Sequence, residues 1–284
     1  MFKKIFFAAA LLLASELGAK PVVIASIAPV EYLAKAVGGD KIEVQSLAKG
    51  DVHSYEPKPN DMKAVAKARI FIAAGLEFEE AWIPRFKASA KNLVVVKSDA
   101  KIAKLKEELG EQAEHDEKHE AHADPHVWLN PMLAITMARN ISDALIDMDK
   151  ANKDFYLENF QKLMNDLLAF DESAKNELAG LKNRKFVVYH PAWGYFAAHY
   201  DLEQISIERS GKEPKIDEMA STVKMIKDEN IKVIFADPNR SQKSAQILAS
   251  QTGAKVELLD PLGYNLLENL KIAVRAIKDA NSPK

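Results

Sequence analysis

The sequence predicts an α/β protein of two lobes, each with a four-stranded parallel sheet and flanking helices, joined by one long helix. Three observations carry that reading. Short runs rich in Val, Ile and Phe alternate with stretches whose apolar residues recur at threes and fours, the mark of successive βαβ units. The alternation breaks once, over 152–181, where Phe155, Phe160, Leu163, Met164, Leu167, Ala174, Leu178 and Leu181 keep helical spacing with no glycine before Gly180. Four strand-like runs fall on each side of that break.

Taken in order, residues 22–27 are the first strand, followed by a helix over 30–37 that stops at Gly38-Gly39. Residues 42–47 alternate as a second strand. After a loop over 50–59, Asn60 is expected to cap a helix over 61–67. Strands at 69–74 and 93–97 flank a helix over 79–89, and an amphipathic helix follows over 132–148. The 152–181 run predicts a helix of about 28 residues, or about 42 Å at 1.5 Å per residue. That is long for a crossover within one sheet and suits a rod between lobes. Strands at 186–189, 203–207, 232–236 and 255–259 then alternate with helices at 193–199, 214–229, 241–251 and 266–280. The expected organisation is a first lobe over 20–150, a linker helix over 151–181 and a second lobe over 182–284.

Residues 1–19 read as a secretory signal: Lys3 and Lys4 precede an apolar core over 5–13, and Ala19 offers a small residue for cleavage. The apolar core is too short to span a bilayer as an ordinary anchor. Cleavage after Ala19 leaves 265 of the 284 residues and moves the formal charge from −2 to −3, because Lys3, Lys4 and Glu16 depart. A chain so near neutrality gives no electrostatic case for nucleic acid. No later run of apolar residues is long enough to cross a membrane. The chain has no cysteine, hence neither a disulfide nor a lipid-modified cysteine. The expectation is a soluble, monomeric periplasmic protein.

The chemistry gathers around the stretch 111–131, EQAEHDEKHEAHADPHVWLNP. Four of the seven histidines, His115, His119, His122 and His126, stand there among Glu111, Glu114, Asp116, Glu117, Glu120 and Asp124. Imidazole and carboxylate are ligands that zinc accepts. The 111–124 segment is polar, lacks an apolar period and reads as a loop carrying His115, His119 and His122 as a secondary, weaker metal site. His126 lies in an apolar stretch bracketed by Pro125 and Pro131, so a fixed place in the fold is expected for it.

In parallel α/β sheets, ligands bind beyond the carboxyl ends of the strands. The ligand-type residues expected there are His53 after strand two, His126 after the long loop, His190 immediately after strand five and Asp260 closing strand eight. Three neutral imidazoles and one carboxylate make a tetrahedral zinc set of net charge +1. Asp237, in Asp237-Pro238, is a rival carboxylate and Glu208 is another. His199 falls nine residues after His190, inside a helix, and is left out of the set as a packing or solvent-facing residue.

These residues lie in motifs. His53 is followed closely by Tyr-Glu-Pro-Lys-Pro-Asn-Asp, and DPHVWLNP, YHPAWGYF, FADP and LDPLG come later. On them the chain resembles the solute-binding proteins of bacterial ABC metal-uptake transporters, the cluster that handles zinc and manganese, and within it the zinc-specific ZnuA type. The likeness covers the whole mature chain. One departure is a spacing from Gly50 to His53 a residue shorter than usual. The resemblance implies two α/β lobes on one long helix, a cleft site formed by His53, His126, His190 and Asp260, and a membrane permease as partner. It also implies Zn2+ as the transported ligand, since manganese members tend to carry a carboxylate where His190 stands, and Mn2+ favours oxygen. The His/Asp/Glu loop is typical of zinc members.

The expected protein is not an enzyme. A secreted zinc hydrolase would need an open coordination position and a nearby base. No His-Glu-x-x-His pair occurs, and Glu208 is the candidate base if it points at the ion. Unperturbed imidazoles titrate near about 6.5, so apparent log affinity for zinc is expected to fall by up to about three per pH unit below that value.

Overall fold

The computed structural model describes residues 19–106, 123–208 and 216–281. The signal-like segment up to residue 18 and the histidines His115, His119 and His122 lie outside the described residues. Among the described residues, eight strands form two all-parallel sheets of identical order. The first comprises β1 (Val22–Ala25), β2 (Glu43–Ser46), β3 (Ile70–Ala73) and β4 (Val94–Lys97), ordered β2-β1-β3-β4. The second comprises β5 (Lys185–Val188), β6 (Glu203–Ser206), β7 (Val233–Ala236) and β8 (Lys255–Leu258), ordered β6-β5-β7-β8. Val23 pairs with Val44 and Ile70 in the first, and Val187 with Ile205 and Ile234 in the second. The central strands β3 and β7 are buried along their whole length. That burial explains their unbroken apolar runs, Ile-Phe-Ile-Ala and Val-Ile-Phe-Ala.

Crossovers α1 (Ala28–Gly38), α2 (Pro59–Val65) and α3 (Glu77–Ser89) serve the first sheet, and α4 (Pro131–Met148) follows it. In the second, α6 (Gly194–His199), α7 (Ile216–Asp228) and α8 (Lys243–Thr252) connect the strands, and α9 (Leu266–Asn281) ends the described chain. Boundaries agree with expectation to within a few residues, with one informative difference. Helix α2 starts at Pro59, so Asn60 does not cap it. Proline's fixed φ suits the first helical position, and Asp61 reaches back so that its Oδ2 accepts the Lys58 N–H at 2.7 Å and the Tyr55 hydroxyl at 2.8 Å.

The long helix is α5 (Lys153–Leu178), 26 residues and about 39 Å in length. One stripe of it, Tyr156, Phe160, Leu163, Leu167, Phe170, Ala174 and Leu178, is buried. It packs against α1, α4 and α9. The apolar core runs through it without a break, from Val23 and Ile70 of the first sheet to Phe186 and Phe235 of the second. A rod embedded in a common core resists bending between lobes more than an exposed linker would. His199 joins this brace: its Nε2 lies 2.6 Å from Asp171 Oδ1 on α5. It is a packing residue of the brace, away from the cluster described below.

Candidate metal centre

Three imidazoles meet at the carboxyl ends of the sheets. His53, His126 and His190 offer ring nitrogens that all lie within 4.8 Å of one another, and their ring centroids are 5.1 to 5.6 Å apart. Among the described residues this is the group of histidines and carboxylates close enough to hold one cation.

His53 comes from the irregular segment between β2 and α2. Asp51 turns the chain there: its Oδ1 accepts the His53 backbone N–H at 3.2 Å and its Oδ2 accepts the Ser54 hydroxyl at 3.2 Å. Val52 is buried and pins the turn. The His53 Nε2 is buried and has no hydrogen-bond partner among the described residues. An orphaned buried ring nitrogen of this kind is costly unless something else satisfies it. Burial lowers the His53 pKa to about 4, helped by His126 and Arg240 and opposed by Asp51 and Asp124.

His126 is held from behind. Asp124 Oδ1 lies 2.7 Å from His126 Nδ1 and also accepts the His126 backbone N–H at 2.9 Å. A carboxylate on Nδ1 selects the tautomer whose Nε2 lone pair is free for a metal. Asp124 is itself fastened: its N–H donates to Leu105 O at 2.9 Å, and its carbonyl accepts the Tyr195 hydroxyl at 2.8 Å. Downstream, Trp128 is fully buried and donates its indole N–H to Pro261 O at 2.7 Å, tying the His126 segment to the residue after Asp260. Asn130 Oδ1 then caps α4 by accepting the Met132 and Leu133 N–H groups.

His190 extends β5. The β5–β6 register pairs Val188 with Ser206, so two residues further on His190 stands beside Glu208. Glu208 Oε2 lies 2.9 Å from His190 Nδ1, and the Glu208 N–H donates to Tyr189 O at 2.8 Å. Arg240, from the loop after β7, forks onto the same carboxylate at 3.1 and 3.0 Å and brings Nη1 within 2.6 Å of His190 Nδ1. Burial first, then the charges of His126, Arg240 and His53, push the His190 pKa well below its ordinary value.

Asp260 stands outside the close cluster of three. Its Oδ1 accepts from Asn239 Nδ2 and from the Leu262 N–H, each at 2.8 Å. Asp237 Oδ1 is engaged by the N–H and the side-chain amide of Asn239, and burial raises its pKa. Sequence reading placed Glu208 and Asp237 as rival carboxylates; here Glu208 backs His190, and Asp237 braces the Asn239 turn. It passed over Arg240, and it counted Asp124 with the loop rather than with His126. The Asp-Pro-His spacing was the available signal, since an aspartate two residues before a histidine can turn back onto its N–H. Arg240 had no signal, because only the packing of β7 beside β5 brings it near.

Two parallel α/β sheets on one long helix, with three imidazoles from both lobes gathered at one point, are the architecture of a metal-binding solute-binding protein. Residues 23–280 match the family ZnuA, zinc-uptake complex component A, periplasmic, and the chain belongs to that family. It is 30% identical over 284 aligned residues to the high-affinity zinc uptake system protein ZnuA of Bacillus subtilis (strain 168), covering 93% of this chain and 88% of that one. A crystal structure of ZnuA superposes with a TM-score of 0.85 at 35% identity, covering 93% of this chain and all of the other. A zinc-bound ZnuA lacking its residues 138–173 superposes with a TM-score of 0.86 at 34% identity, covering 93% and 99%.

Proposed function

We propose that this chain captures Zn2+ in the periplasm with His53, His126 and His190, and delivers it to the permease of an ABC transporter. The observation that carries the reading is the convergence of three imidazoles on one point, two of them backed by carboxylates that orient the rings. Neutral imidazole is a donor zinc favours, and a set with three imidazoles to a single carboxylate disfavours oxygen-preferring Mn2+. The low pKa of His53 and His190 keeps both rings unprotonated at neutral pH, ready to bind. Asp260 takes the fourth position in this reading, its segment held near His126 by the Trp128–Pro261 bond. His115, His119 and His122 serve as a weaker gathering site. Among the described residues no helix is long and apolar enough to cross a membrane, so transfer across it falls to the partner.

The test is a competitive zinc titration of the mature protein beside a His190→Ala variant, with zinc uptake measured in cells carrying each. One tight equivalent in the parent, lost with uptake in the variant, is the expected result. A variant that keeps tight zinc would refute the three-histidine site.

A further inference from the structure

Two side chains claim the same nitrogen of His190, and they make opposite demands on it. Glu208 Oε2, at 2.9 Å from Nδ1, accepts a hydrogen bond and so needs Nδ1–H. Arg240 Nη1, at 2.6 Å, can only donate and so needs a lone pair on Nδ1. A neutral imidazole carries one proton. With the proton on Nδ1, the Nε2 lone pair is available to a cation; with Nδ1 accepting from Arg240, Nε2 carries the proton and cannot ligate. Arg240 does not sit there idly. Its fork onto both oxygens of Glu208, at 3.1 and 3.0 Å, keeps the guanidinium beside the ring, and its fixed charge is felt at His53 as well as His190.

We propose that Arg240 is the residue that limits metal affinity: it holds His190 partly in the non-ligating tautomer and places a permanent positive charge behind the site, so that a captured ion can be given up again. Glu208 is its counterweight, favouring the ligating tautomer. Metal entry then requires a change of partner at Nδ1, from Arg240 to Glu208, with no net gain or loss of protons by the ring. His126 has Asp124 on the same ring nitrogen and, among the described residues, no cationic partner hydrogen-bonded there. The two second-lobe groups therefore give His190 a control that His126 lacks. The inference rests on the three-histidine reading of the site.

The experiment is a competitive zinc titration and a chelator-driven release rate for the wild type, Arg240→Met, Glu208→Gln and His190→Ala. Arg240→Met should bind zinc about tenfold more tightly and release it more slowly, while Glu208→Gln should bind about tenfold more weakly, the scale on which groups behind a ligand act. A purely structural Arg240 would instead weaken binding or leave it unchanged when removed, and that result overturns the proposal. Tight zinc retained by His190→Ala overturns the site reading beneath it; zinc lost there with no tightening in Arg240→Met overturns only the role of Arg240. Should Arg240→Met fail to fold, two-bond ring 1H–15N spectra of zinc-stripped wild type decide. A His190 population with unprotonated Nδ1 supports the proposal, and a ring wholly Nδ1–H overturns it.

Discussion

His126 and His53 come from the same lobe and face the same point, but they are held differently. His126 is gripped at ring and backbone by one carboxylate oxygen of Asp124, whose own backbone is tied to Leu105 and to the Tyr195 hydroxyl of the second lobe. His53 has an Asp51 turn at its backbone, and its Nε2 is buried with no partner among the described residues. The difference indicates where the site yields. A residue fixed by a chain of hydrogen bonds moves only if several break together, whereas one held by a single turn moves alone. With α5 embedded in a core shared by both sheets, ion release is expected through the segment 50–58 rather than through rotation of the lobes or displacement of His126.

The largest effects should come from the three clustered histidines, the ligands of the proposed site. Replacing His53, His126 or His190 with alanine should each weaken zinc by more than the about 10–100-fold typical of losing an outer partner. Equilibrium dialysis against a competing chelator measures this, and a variant within tenfold of the parent would remove that residue from the set. The comparison is sharpened by the supporting aspartates. Asp124→Ala should weaken zinc by about 10–100-fold, because His126 loses both its tautomer lock and its backbone anchor. Asp51→Ala should cost less than about tenfold in affinity yet raise the release rate, since it frees a segment already poised to move. Equal losses in the two variants would break the distinction.

Asp124 also decides what deletions in the polar segment 111–124 should do. Removing 111–124 takes away the partner of His126 along with the polar segment, whereas removing 111–123 spares it. The shorter deletion should leave the tight equivalent nearly unchanged, and the longer one should weaken it about as much as Asp124→Ala. Titration of both variants side by side checks this; identical behaviour would mean that Asp124 does not orient His126.

The smallest expected effect is that of pH on affinity. His53 sits at about 4 and His190 well below its ordinary value, both chiefly through burial. Protons on these two rings therefore compete with a cation only at low pH, and log affinity between pH 7.5 and 5.5 should fall far less steeply than three per unit. Unperturbed imidazoles predict the steeper fall, and its observation would show that the rings are not held neutral by burial. The same shifts act on stability. Between about 4 and about 6.5 the unfolded chain binds protons that the folded His53 refuses, so folding stability is full above that window and is lost as pH falls through it. Melting curves of zinc-stripped protein should show that loss, which unperturbed rings would not produce.

The order of strands and helices was legible because each element carries its own period: buried parallel strands read as short apolar runs, and α5 repeats its stripe at threes and fours over 26 residues. The clustering of the three histidines was legible because strand ends in such sheets are where ligands sit, and each of the three follows a strand or a Pro-bracketed turn. What the sequence could not show is what stands behind them. Arg240 reaches His190 across fifty positions because β7 pairs with β5, and Glu208 reaches it because the β5–β6 register brings the two strand ends level. Nor does any local pattern say that α5 lies in one core with both sheets, or that Trp128 bonds Pro261. Periodicity reports how a segment hydrogen-bonds and which face it buries. Partners distant in sequence are chosen by sheet register and side-chain packing, and those exist only once the whole chain has folded.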